Sequence, residues 1–183
     1  MKKTIALGLV LAFGLSQPSI AQQVGGFDTG SSAFAEATPA NSSHASGVSL
    51  GGLFQIPIAR VPGGSGIITN LLLKSAGGAT SAITFRLWDV NPVNTTCTDN
   101  SAFAGSDTDD KHLIATPFTL TPAAPSVTTG DSATYATATN LSIDFKNQDT
   151  NLTKIVYACL VLGGTDTADE AQKVRLTLSG PVN

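Results

Sequence analysis

Four aspartates, Asp99, Asp107, Asp109 and Asp110, fall within fourteen residues and end beside His112. Carboxylates gathered on a loop with backbone carbonyls are the ligands that Ca²⁺ takes. The spacing is not that of an EF-hand, and no glutamate stands where it could close the loop bidentately. The stretch therefore reads first as a solvated acidic loop whose aspartates cap turns, with calcium as the alternative. His44 and His112 are the only histidines. Neither accompanies a Gly-x-Ser-x-Gly elbow, and they do not form a pair at metal-ligand spacing. His44 is expected at a strand entry rather than as a base. Glu36 and Glu170, the only glutamates, lie in segments that read as flexible. A two-carboxylate glycosidase site needs a rigid frame. No catalytic residue and no cofactor are expected, and a secreted hydrolase is the least supported function.

Cys97 and Cys159 are the only cysteines. An even count in an oxidising compartment invites a disulfide. Cys97 is in a polar loop and Cys159 in an apolar strand, so a buried free Cys159 is the competing expectation. Trp88, Tyr135 and Tyr157 could stack on a sugar. Trp88 and Tyr135 are the two candidates for an exposed platform, and a packed tryptophan is the commoner state. Sequons at Asn41, Asn94, Asn140 and Asn151 fit exposed loops.

The elements that would hold these residues are short strands. Charged residues make up only 13 % of the 183, which leaves few side chains for exposed helix faces. Residues 83–90 alternate cleanly, with Ile83, Phe85 and Leu87 on one face and Thr84, Arg86 and Trp88 on the other. Residues 141–145 and 174–178 alternate in the same way. Residues 154–162 are apolar on both faces, which places them at the centre of a sheet or between layers. Further strands are expected at 48–56, 58–61, 67–74 and 113–120. Pro122 and Pro125 make 121–139 a long excursion. About eight strands with turn signals every ~8–12 residues predict an all-β, antiparallel sandwich, jelly-roll-like in topology.

The organisation reads in three parts. Residues 1–21 are leader-like: Lys2 and Lys3, then an apolar run over 4–15, then small residues at Ser19 and Ala21. That layout predicts cleavage after Ala21 and export, to periplasm or medium, and the run is too short to leave a stable membrane span. Residues 22–46 read as a Gly/Ser/Ala-rich arm or linker, and 47–183 as the sandwich domain. Net charge is −3, and two of the ten basic residues lie in the leader. The body lacks the basic patch that nucleic acid requires, so no nucleic-acid partner is expected.

Several stretches resemble a known family. They are Ala37-Thr38-Pro39-Ala40-Asn41-Ser42-Ser43-His44-Ala45-Ser46-Gly47, then Ala59-Arg60 leading to Gly64-Ser65-Gly66-Ile67-Ile68, then Leu72-Leu73-Lys74-Ser75. Phe85-Arg86-Leu87-Trp88, Asp99-Asn100-Ser101-Ala102-Phe103 and Ile155-Val156-Tyr157-Ala158-Cys159-Leu160 follow in the same order. This series is similar to small tailed-phage virion structural proteins of the capsid decoration type. His44 stands where those chains carry an aromatic residue, and Ser101 where they carry glycine. The resemblance implies a structural role on a protein lattice, in many copies, with no catalytic residues to transfer.

Two functions follow as expectations. The first is a non-enzymatic surface or virion protein that binds a protein lattice or its own copies, as a homo-oligomer. The second is an exported carbohydrate-binding module using Trp88 or Tyr135 toward a glycan.

Overall fold

The computed structural model describes residues 28–40, 42–123, 133–148, 154–166 and 173–182. The leader-like segment, the cleavage point after Ala21, Glu170 and the sequons at Asn41 and Asn151 lie outside the described residues. Among those described, no helix is long and apolar enough to cross a membrane.

The described residues form ten strands and one helical turn. In order they are β1 (Asp28–Ala37), β2 (Ser49–Ile56), β3 (Ser65–Ile68), β4 (Asn70–Ser75), β5 (Ile83–Trp88), α1 (Asp107–Asp110), β6 (Phe118–Leu120), β7 (Thr134–Ala138), β8 (Ile143–Lys146), β9 (Val156–Leu162) and β10 (Val174–Val182). All strand pairings in the ladders are antiparallel. A four-stranded sheet runs β2-β9-β5-β6. In the other sheet β10 is central, with β1 on one edge and both β4 and β3 on the other.

Two of these strand pairs are single bent strands. β3 and β4 are separated by Thr69 alone and lie along the same edge of β10. Their register slips by one residue, from Ser179 opposite Asn70 to Val182 opposite Gly66. Gly180 sits at that slip. A Cβ there would land on the Ile67 carbonyl oxygen and 3.0 Å from the Thr69 nitrogen, so only glycine lets the backbones pass. β7 and β8 follow the same bend, pairing with β4 and β3 in turn. Counted as long strands there are eight. The first, eighth, third and sixth form one sheet, and the second, seventh, fourth and fifth form the other. That is the order of a two-Greek-key jelly roll.

The eight differ in membership from those expected. Residues 28–37, within the supposed arm, are β1, in register with β10 from Ser31 opposite Gly180 to Ala37 opposite Val174. The domain therefore reaches back well before residue 47. Ala33, Ala35 and Ala37 face the core and Phe34 and Glu36 face out, an alternation too small in side-chain size to stand out in the sequence. β7 lies inside the supposed excursion of 121–139. Residues 58–61 are not a strand.

The core lies between the sheets. Leu71, Leu73, Leu176 and Leu178 from one sheet meet Phe54, Phe85, Leu87, Leu160 and Leu162 from the other, all essentially excluded from solvent. Each such side chain contributes about 1.5–3 kcal/mol by leaving water. Phe85 stacks on Phe118 with ring centroids 5.4 Å apart.

Candidate functional site

The outer faces of the two sheets are unlike. On the four-stranded sheet, β9 alternates so that Val156, Ala158, Leu160 and Leu162 enter the core, leaving Tyr157, Cys159 and Val161 on the other side. Trp88 lies opposite Tyr157, and Arg86 and Leu53 both lie opposite Cys159. These side chains would form an apolar outer face, but the segment 89–117 folds over them. Cys97, Phe103 and Leu113 from that segment pack on Trp88, Tyr157 and Cys159 as a second, smaller core. A disulfide joins Cys97 to Cys159, with Cα atoms 6.1 Å apart. The free-thiol expectation for Cys159 is thereby corrected, because the loop returns over its own sheet. Trp88 is 0 % exposed, so it offers no stacking platform. Its alternation was read correctly, but its face is covered. The Arg86 guanidinium lies over the Phe103 ring at 4.7 Å and 3.4 Å from the Asp110 carboxylate.

The four loop aspartates are put to separate uses. Asp99 accepts from the Ala40 and Gly51 backbone N–H groups, each at 2.6 Å, and lies 3.2 Å from His44 Nε2. Asp109, buried, accepts from the Asn94 backbone at 2.8 Å, the Asn94 carboxamide at 3.2 Å and the Thr95 hydroxyl at 2.8 Å. Asp110 faces Arg86. Asp107 opens α1, which is capped by the Ser106 hydroxyl. Among the described residues no three His, Cys, Asp or Glu side chains converge as metal ligands. The four aspartates named for calcium are thus not brought together: Asp99 and Asp109 accept from loop donors, and Asp110 faces Arg86. His44 is fully buried in a bridge to Asp166, and its Nδ1 lies 2.8 Å from the Ser42 carbonyl.

Among the described residues the outer face of the other sheet is open, with no element laid across it. The registers place Phe34, Thr177, Leu72 and Thr137 in one row across β1, β10, β4 and β7. Phe34 is 52 % exposed and Leu72 is 38 %. The adjacent row is Glu36, Arg175, Lys74 and Tyr135. Arg175 donates from Nε to Glu36 at 2.6 Å, Lys173 donates to the other Glu36 oxygen at 3.2 Å, and both hold its carboxyl below the ordinary range. Arg175 also lies over the Phe34 ring at 4.4 Å, and Lys74 sits 5.6 Å from the Tyr135 ring centroid. Tyr135, a stacking candidate, is half-buried with a cation already on its ring. Glu36 stands on a paired strand rather than in a flexible segment.

Asp89 is the residue that sequence reasoning missed. It follows Trp88 at the end of β5, is 5 % exposed, and is pushed above the usual carboxylate range by burial. Its Oδ2 accepts from Gln148 Nε2 at 3.2 Å, while its buried Oδ1 has no hydrogen-bond partner. His112 Nδ1 is 3.8 Å from that oxygen. The only hint in the sequence is a carboxylate closing an apolar strand. Comparison of the chain with protein-family models, with curated proteins and with solved structures finds no match in any of the three.

Proposed function

We propose that this is a non-enzymatic structural protein that docks through the open sheet face, onto a protein lattice or onto copies of itself. The observation that carries this reading is the contrast between the two faces. One is sealed by a disulfide-tethered loop, while the other leaves Phe34 and Leu72 exposed in register on either side of Thr177. A flat row of apolar and hydroxyl side chains rimmed by charge is the composition of a protein-binding patch. The resemblance to decoration-type virion proteins supports a lattice as the partner. The occupation of His44, Asp99, Asp109 and Glu36 in holding loops and strands supports a non-catalytic role. The leader-like N-terminus supports export, with a virion location as the alternative.

The test is sedimentation velocity of the full chain over a concentration series, paired with a count of its copies in purified particles. Association with concentration, or a fixed copy number per particle, abolished in Phe34→Asp/Leu72→Asp, is the expected result. A chain that stays monomeric and is absent from particles overturns the proposal.

A further inference from the structure

The geometry points to a saccharide-binding cleft around Asp89, on the sandwich edge where β5 ends near β8. It is independent of the docking face. The cleft has a volume of about 360 Å³ and draws its wall from the end of β5, from residues 111–114 and from β8. That size falls within the range of small-molecule sites and admits one or two sugar rings.

The chemistry of the wall selects the ligand class. Its lining includes two carboxylates, Asp89 and Asp144, and two ammonium groups, Lys111 and Lys146, together with His112 and Gln148. The charges cancel, so neither a cation nor an anion is singled out. Hydrogen-bond acceptors and donors both line the space. Leu113 and Ile114 add apolar surface. A neutral ring carrying hydroxyls on its rim and C–H groups on its faces uses all three. Each hydroxyl both donates and accepts, which a cleft of mixed donors and acceptors can satisfy where a simple ion cannot.

Asp89 supplies the independent sign of a missing partner. A buried carboxylate oxygen without a donor is destabilising, and the penalty persists only where something else offsets it. Oδ1 is such an oxygen, and its partner Oδ2 is already fixed by Gln148. The His112 ring beside it is 40 % exposed at its side chain, so it can give way to a ligand. A sugar hydroxyl donating to Oδ1 completes the set. Burial favours the neutral acid at Asp89, and a hydroxyl donor reverses that preference.

The experiment is a ¹H–¹⁵N NMR titration of the full chain with glucose, galactose, mannose and N-acetylglucosamine, each alone. The expected result is saturable shifts at the amides of Asp89, His112, Leu113 and Gln148 for at least one sugar. Asp89→Ala should weaken that binding about tenfold or more. Should Asp89→Ala fail to fold, the exposed Asp144→Asn is used, with a weaker loss expected. Shifts that fall elsewhere, no shifts with any sugar, or shifts at these amides with only calcium or methylammonium overturn the proposal.

Discussion

His44 and Asp99 meet across fifty-five residues of chain, with the imidazole Nε2 3.2 Å from the carboxylate Oδ1. The other ring nitrogen faces the Ser42 carbonyl, which can only accept, so the ring donates there. Asp99 also takes the Ala40 and Gly51 N–H groups, so one side chain fastens the entry to β2 onto the loop that covers the four-stranded sheet. Asp99→Ala leaves the Ala40 and Gly51 backbone donors without their acceptor and removes the carboxylate packed beside the buried imidazole. A loss of about 2–4 kcal/mol is expected by urea unfolding, with Asp99→Asn losing less. An unchanged midpoint for Asp99→Ala would show that the clasp is decorative.

The disulfide closes a span of 62 residues. Cross-linking a span of that length removes denatured-state entropy corresponding to about 4 kcal/mol. The Cys97→Ser/Cys159→Ser double variant should therefore melt well below the parent in a calorimeter, and reductant should lower the parent alone. Trp88 fluorescence should shift to the red in the variant below its melting point, because the covering loop is released first. Coincident loss of the loop and of the whole fold would contradict that order.

Gly180 predicts a backbone effect that no side-chain contact reveals. Gly180→Ala places its Cβ on the Ile67 carbonyl and against the Thr69 nitrogen, at the slip between β3 and β4. A destabilisation above about 3 kcal/mol, or insoluble expression, is expected. Gly47, with no atom near its Cβ position, isolates the contribution of left-handed backbone, and Gly47→Ala should cost less.

Two carboxylates give stability opposite slopes with pH. Glu36 is held below its ordinary value of 4.5, first by hydrogen bonds from Arg175 and Lys173. Its contribution is present above that value and is lost as pH falls through the lower folded-state value, so Glu36→Gln should flatten the acid limb. Asp89 is raised above 3.8, first by burial and against the hydrogen bond from Gln148. Its charged form is penalised in the fold, so the penalty is absent below 3.8 and grows as pH rises to the folded-state value. Asp89→Asn should thus gain stability at neutral pH and little in acid. Melting curves at several pH values check both signs.

Much of this fold was legible in the chain. β9 reads as apolar on both faces because it separates two cores, and β5 and β8 announce their inward sides by period. β1 did not, because Ala33, Ala35 and Ala37 bury little area and their strand character comes from β10 beside them. β7 was hidden by the prolines that precede it. Trp88 shows the limit most plainly. Its side of the strand was readable, yet solvent access depends on where residues 89–117 fold back, a long-range fact that no local pattern carries. The same return brings Cys97 to Cys159. Asp89 and His112 are likewise brought together only by the meeting of β5 with a distant loop.

The sealing of one sheet gives the molecule a front and a back. Sheets and layers stack at about 10 Å, so the tethered loop stands roughly 20 Å behind the open row of Phe34 and Leu72. Val93, 75 % exposed, belongs to that covering segment and not to the open sheet. On the proposed docking through the open face, a peptide inserted beside Val93 would stand on a segment that takes no part in the contact, which makes the covered side a place for display.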